Sequence, residues 1–326
     1  MIISKTPLRI SFCGGGSDIP SFYSKHGGCV LSTTINKYIY ISSVHSFNPQ
    51  ITQLKYSMVE SVTDIDEIKH PVFREMLRRY GLSGFEMSSI SDIPAGTGLG
   101  SSSTFTVGLS NVLHTHMGET MSKEALAKEA CEMEIDVLGE PIGKQDQYAA
   151  AYGGLNFIEF NRDGAVQVER IKVDTESKRI LDDRLMMVYL GGVRSASEIL
   201  RKQSSNTKSG KAEDNQKRMC DLARELRHSL ESGDMDSMGE CLDKGWKLKR
   251  TLSEGITNPQ IDEMYERITD LGATGGKLLG AGGNGFMLFY ARENAREEIL
   301  RRTKDLRWMP FRFESSGSQI IYNNEE

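Results

Sequence analysis

Two stretches of this sequence hold residue types that can bind anions or metal ions. In DIPAGTGLGSSSTFTVGL, Asp92 to Leu109, three glycines (Gly96, Gly98, Gly100) and three serines (Ser101, Ser102, Ser103) lead into an apolar run of helical character. Glycine loses more backbone freedom on folding than any other residue, so this clustering needs a reason. One reason is a flexible turn capped by serine. The other is an anion cradle, in which bare main-chain N–H groups and a helix N-terminus point at phosphate. The serine hydroxyls suit a hard cation such as Mg2+, so all the parts together suit a metal-bound triphosphate. The second stretch is ALAKEACEMEIDVLGE. Here Glu134 follows Ala127 and Ala130 and precedes Val137 and Leu138, which puts it on the apolar face of a helix. A carboxylate there needs a partner, because burying it bare is very costly. Magnesium would serve, or a lysine at the edge of that face.

Two other glycine patterns fail on context. GAGGNG, Gly280 to Gly285, has the spacing of a dinucleotide fingerprint, but the strand-like FMLFY follows it instead of a helix. GATGGKL has too few residues before Lys277 for a P-loop and offers Leu278 where Ser or Thr should meet magnesium. A nucleotide would therefore be held by neither of the two commonest loops. His114 and His116 stand two apart on a helix, hence on different faces, and the histidines show no ligand-like clustering.

The elements that must position these residues read as mixed helix and strand. LRISFC, GCVLSTTI and KYIYISSV are predicted as separate strands, rich in Ile, Val, Tyr and Thr. PVFREMLRRYG is a helix opened by Pro71 and closed by Gly81, and FEMSSIS is a strand. Helices are predicted over about 102–117 and 122–138, followed by GLNFIEF and AVQVERI as paired strands around NRDG. LMMVYLGG begins a second part, with a domain boundary near Asp183. That part is mostly helical over 194–271, and then reads as strand KLLGA, strand GFMLFY, helix ENAREEILRRTKD and strand FRFES. SSNTKSGKAED, near 204–214, is predicted as an exposed mobile loop.

The chain has 326 residues, enough for about two domains, and its formal net charge of −5 argues against a bulk nucleic-acid or anionic-membrane binder. Five scattered cysteines form no C-x-x-C pair, which points away from disulfide or zinc scaffolds and towards a reducing cytoplasm. No apolar run reaches transmembrane length, and the start lacks the pattern of a signal peptide. Oligomeric state, monomer or homodimer, stays open.

Three motifs in this order resemble those of the GHMP kinases: PLRISFCGGGSD (Pro7 to Asp18), PAGTGLGSSS (Pro94 to Ser103) and KLLGAGGNG (Lys277 to Gly285). GGGSDIPSFY, GKQDQYAAAYGG and GVRSASEIL are most similar to the branch of that family acting on a phosphorylated heptose. The resemblance implies an α+β, two-domain GHMP kinase fold. Residues 1–183 would form a ribosomal protein S5 domain 2-like ATP-binding and catalytic domain, and 184–326 a ferredoxin-like domain. It implies ATP with Mg2+, a small-molecule sugar phosphate as partner, and transfer to the C1 hydroxyl. A fucokinase, or a member that binds ATP or sugar without turnover, are the competing readings.

The resemblance also implies residue roles. Pro94, Gly96, Thr97, Gly98, Leu99, Gly100, Ser101, Ser102 and Ser103 would bind the nucleotide, and Ser102 with Glu134 the metal. Asp146 would take the proton of the attacking hydroxyl or orient it, and Arg9 would orient the acceptor and offset developing charge. Gly14, Gly15, Gly16, Ser17 and Asp18 would face the sugar, since glycines let it approach the main chain and a carboxylate accepts its hydroxyls. Gly282 and Gly283 would shape the floor of the site, or simply allow tight strand packing. A terminal phosphate needs its own cation. Arg194, beside Ser195 and Ser197 at a predicted helix start, is the candidate, an ordinary helix-start arginine being the alternative.

Overall fold

The alternating apolar residues of the first segments build one long antiparallel pair, β1 (Ile2–Cys13) with β2 (Gly28–His45). The computed structural model describes residues 1–192, 199, 201–202, 205–207 and 212–324. Around that pair the first sheet adds β3 (Thr52–Lys55), β4 (Val59–Val62), β5 (Phe85–Ser91), β6 (Asn156–Phe160) and β7 (Val166–Arg170). The second sheet holds β8 (Leu185–Tyr189), β9 (Gly275–Leu278), β10 (Phe286–Tyr290) and β11 (Arg307–Met309). The chain then returns to the first sheet with β12 (Phe313–Glu314) beside β2 and β13 (Gln319–Asn323) beside β1.

The two strands expected over 28–44 are a single strand. β2 changes neighbours along its length: Gly28–Ser32 pair with β6 and Ile39–His45 with β5. Between them Asn36 leaves the ladder to exchange hydrogen bonds with the main chain of Arg312. What reads as a break is a change of partner.

Helices α1 (Pro20–His26), α2 (Pro71–Tyr80), α3 (Ser101–His116), α4 (Lys123–Cys131), α5 (Gln145–Tyr152) and α6 (Thr175–Arg184) accompany the first sheet. Gly81 closes α2 in the left-handed region at φ 62°, as its sequence predicts. α3 is buried nearly all round and lies on β1 and β2, where Gly108 leaves room for the Thr6 hydroxyl. Helices α7 (Glu213–Glu231), α8 (Ser237–Lys249), α9 (Pro259–Asp270) and α10 (Glu293–Arg302) belong to the second half.

The second sheet runs β11-β8-β10-β9, all neighbours antiparallel, with helices between β8 and β9 and between β10 and β11. That is the strand order of a ferredoxin-like unit. The α+β, two-part architecture expected of the chain is present. Within the stretch predicted as a loop, 205–207 are helical, and Thr207 is buried with its hydroxyl donating to Gln216 Oε1 at 2.9 Å. Residues 204 and 208–211 lie outside the described residues.

Candidate active site

Gly96, Gly98 and Gly100 hold φ of 75°, 90° and 76°, conformations that side-chain-bearing residues rarely adopt. Gly100 opens α3 with no side-chain cap, so the first helical N–H groups, from Ser101 to Ser103, are left for an outside acceptor. The other cradle residues are anchors. Thr97 is fully buried and donates to Pro94 O at 2.9 Å, and the buried Leu99 accepts the Arg9 N–H through its carbonyl at 3.1 Å.

Beside this helix start lies a buried carboxylate. Glu134 is 1% exposed and takes hydrogen bonds from Ser102 Oγ at 2.8 Å and Gln147 Nε2 at 2.7 Å. Burial pushes its carboxyl above the usual range, hydrogen bonds from Ser103, Ser102 and Gln147 pull it back, and the nearby Asp146 adds to the rise. Residue 134 falls in a π-helical turn, Glu132–Val137, that continues α4; such turns re-aim side chains and are frequent at functional sites. The Gln147 Oε1 is buried without a hydrogen-bond partner. A hydroxyl and a carboxylate fit Mg2+, which takes one or two carboxylates and fills its shell with phosphate oxygens and water. Among the described residues no group of three or more His, Cys, Asp or Glu gathers to hold a metal by protein ligands alone.

The second acid is held by an arginine. Arg9 on β1 donates Nε and Nη2 to the two oxygens of Asp146 at 2.8 and 2.7 Å, and Nη1 to Gly98 O at 2.7 Å. This forked pair fixes the carboxylate in one orientation and ties it to the cradle. Asp146 stands in the first turn of α5, and a Cβ on Gly100 would come within 3.3 Å of its Oδ2.

Asp18 is also buried, 2% exposed, and its carboxylate accepts the main-chain N–H of Gly16 at 3.0 Å and of Gln145 at 3.2 Å. Burial pushes its carboxyl up, the Asp146 charge adds to this, and those N–H bonds oppose it. Gly143 makes room for it, since a Cβ there would lie 1.9 Å from Asp18 Oδ2. Gly14 packs on the Cys29 carbonyl, and Ser17 Oγ donates to that same carbonyl at 3.0 Å. Gly15 instead faces Ser11 Oγ and the Gln145 amide; Ser11 Oγ and Gln145 Oε1 are buried polar atoms without partners. Gly16 offers its carbonyl to Gln216 Nε2 at 2.8 Å, a contact from α7 in the other half. Orphaned polar atoms around a glycine loop suit a polyol.

The third motif meets the second through backbone. A Cβ on Gly98 would lie 2.6 Å from Leu279 O, and one on Gly280 would lie 2.4 Å from the Gly98 Cα. Gly282 packs on the backbone of Ile256, and Gly283 donates its N–H to Ile256 O at 3.0 Å. The Lys277 ammonium donates to Ser11 O and Phe12 O at 2.7 and 2.9 Å. The Lys249 ammonium donates to Leu278 O at 3.1 Å and to Gly280 O. Arg194, with Ser195 and Ser197, lies outside the described residues; the preceding Gly192 abuts the Asn284 side chain of this motif.

So Arg9, Asp146, Ser102, Glu134 and the cradle converge from segments distant in sequence, with Asp18 adjoining. Gln147, Ser11, Gln145, Gln216 and Lys249 carry no role in the sequence reading. Neither Gln147, a glutamine directly after Asp146, nor Lys249 carries a distinguishing signal in the sequence.

Two family descriptions match the chain in order: GHMP kinases N terminal domain over residues 67–154 and GHMP kinases C terminal over 226–305. The chain is 28% identical over 312 residues to D-glycero-alpha-D-manno-heptose 7-phosphate kinase of Campylobacter jejuni, covering 92% of both chains. The crystal structure of a D-glycero-D-manno-heptose 1-phosphate kinase from Bacteroides thetaiotaomicron superposes with a TM-score of 0.81 at 25% identity, covering 100% of both. Lactococcus lactis galactokinase complexed with galactose shares the fold at a TM-score of 0.76 and 16% identity, covering 98% of this chain and 95% of that one. No described helix is long and apolar enough to cross a membrane.

Proposed function

We propose that this chain, which belongs to the GHMP kinase family and is an ATP-dependent sugar kinase, phosphorylates the C1 hydroxyl of D-glycero-D-manno-heptose 7-phosphate. The product would be the 1,7-bisphosphate, a precursor of nucleotide-activated heptose for surface polysaccharide. The observation that carries the reading is the meeting of two carboxylates, Glu134 held by Ser102 and Asp146 held by Arg9, at the uncapped start of α3.

The chemistry asks for positioning and charge neutralisation more than for covalent work. The cradle N–H groups and the α3 dipole hold the phosphates, and Asp18 with the Gly14–Gly16 loop holds sugar hydroxyls. Asp146 orients the acceptor hydroxyl and receives its proton as the oxygen bonds to the terminal phosphorus. The bond from that phosphorus to the bridging oxygen breaks, and ADP leaves. Arg9 keeps the carboxylate aimed and offsets charge on the transferring group. Ser102 and Glu134 would hold Mg2+, which when bound neutralises phosphate charge. All five cysteines are free and buried, in keeping with a reducing cytoplasm.

The two heptose-specific relatives bear names that place the acceptor's phosphate differently, at carbon 7 and at carbon 1. One assay separates these cases: ADP release with heptose 7-phosphate, heptose 1-phosphate, heptose and fucose side by side, with phosphorus NMR of the product. The expected result is fastest turnover of heptose 7-phosphate, a new phosphorus resonance coupled to the anomeric proton, and loss of about 10²–10⁴-fold in kcat for Asp146→Asn. Faster turnover of fucose or of the 1-phosphate would reassign the substrate. ATP binding without acceptor-dependent ADP release would end the catalytic reading.

A further inference from the structure

Gln216 lies in the first turn of α7, in the second half of the chain, and is 1% exposed. Its side chain crosses to the glycine loop Gly14–Asp18 of the first half, where Nε2 donates to Gly16 O at 2.8 Å. We propose that Gln216 is the positioning residue of that loop, and that through it the second half sets how tightly the acceptor sugar is held. The inference rests on the loop being the acceptor's, as the kinase reading has it.

Three consecutive glycines leave this loop a wide choice of backbone conformations, so holding one shape takes fixed contacts. Two are internal: Ser17 N–H donates to Gly14 O at 3.1 Å, and Gly16 N–H to Asp18 Oδ1 at 3.0 Å. The peptide that joins Gly16 to Ser17 is held from outside. Gly16 sits at φ 94°, and among the described residues Gln216 is the sole donor to its carbonyl. A carbonyl only accepts, so the Gln216 amide must turn its NH2 group to the loop and its Oε1 away. Thr207 secures that orientation, its buried hydroxyl donating to Oε1 at 2.9 Å. Both ends of the amide are thereby engaged, and the side chain acts as a strut. Its platform is anchored as well. One turn along α7, Cys220 O accepts the Cys29 thiol at 3.5 Å, and the Cys29 carbonyl takes Ser17 Oγ at 3.0 Å. Asp18 follows Gly16 by two residues and accepts its N–H, so a tilt at Gly16 displaces the carboxylate assigned to the sugar hydroxyls.

The test compares the intact wild type with Gln216→Met and Thr207→Val, using whichever sugar of the panel above releases ADP fastest. Gln216→Met keeps the length and leaves Gly16 O unpaired. It is expected to raise the KM for that sugar about tenfold or more, to lower kcat by less, and to leave the KM for ATP unchanged. Thr207→Val keeps the strut but unfastens it, and is expected to shift the sugar KM in the same direction by a smaller factor. Hydrogen exchange over 14–18 is expected to quicken in Gln216→Met. One arm needs no variant: in the wild type, saturating sugar is expected to slow exchange over both 14–18 and 212–220. A sugar that protects 14–18 alone overturns the proposal. So does a sugar KM in Gln216→Met that stays at the wild-type value or rises in step with that for ATP. If exchange over 14–18 has quickened all the same, Gln216 pins a loop that does not hold the acceptor, and that part of the kinase reading falls too. If exchange is unchanged, Gln216 is a packing residue and the reading of the loop stands.

Discussion

Glu134 illustrates what a single residue reveals when its position contradicts its chemistry. Its carboxylate is buried, and its hydrogen bonds come from the neutral groups Ser102, Ser103 and Gln147. A charge kept in that setting costs stability unless something positive joins it. Glu134→Gln keeps the shape and removes the charge. The apo variant is expected to melt at the wild-type temperature or a few degrees higher, while kcat at saturating Mg2+ and ATP drops by about 10²-fold or more. Thermal melts beside a magnesium titration of the rate decide it. A clear loss of apo stability with activity retained would make the residue structural. The helical spacing around Glu134 exposed it in the sequence; Gln147, buried and bound to the same carboxylate, was hidden because a glutamine after an aspartate has no distinguishing pattern.

At the scale of elements, legibility followed local punctuation. Pro71 and Gly81 bound α2, and Ser122 caps α4 through its hydroxyl, so these helices could be placed from sequence. The π turn at 132–137 had no such mark, and it fixes where Glu134 points. β3, β4, β11 and β13 were missed because short strands with mixed polarity gain their stability from neighbours. The glycine contacts between motifs were half visible, as glycine but not as partners. Gly98→Ala tests them: at φ 90°, with a Cβ 2.6 Å from Leu279 O, it should cost on the order of 1–3 kcal/mol and raise the KM for ATP as the cradle shifts. Gly118→Ala is the control, at φ 75° with nothing within 4 Å; it carries the backbone penalty of about 1–2 kcal/mol alone and should leave that KM unchanged. Equal kinetic effects from both would remove the special role of the motif contact.

Across the whole molecule, the three motifs meet although the first and third are separated by most of the chain. Their presence was legible, and so was the two-part α+β plan, because each motif is local. The seam that joins them was not, because Lys249 and Lys277 acquire meaning only when the halves dock and water leaves. That seam has a measurable signature in pH. Burial, followed by the charge of Arg9, lowers Lys277 from its ordinary 10.5 to about 8, with the nearby Cys13 pulling the other way. Below pH 8 both folded and unfolded chains carry the proton, and the folded state bears the full penalty. Between about 8 and 10.5 the unfolded chain binds more protons than the folded one, so this residue's contribution to stability rises with pH across that window. The shift corresponds to about 3 kcal/mol. Urea unfolding of wild type and Lys277→Met at several pH values should therefore show their difference moving in favour of wild type between pH 8 and 10.5, by up to that amount. A pH-independent difference would mean that the lysine is not held in a water-poor seam at all, and that the two halves dock in some other way.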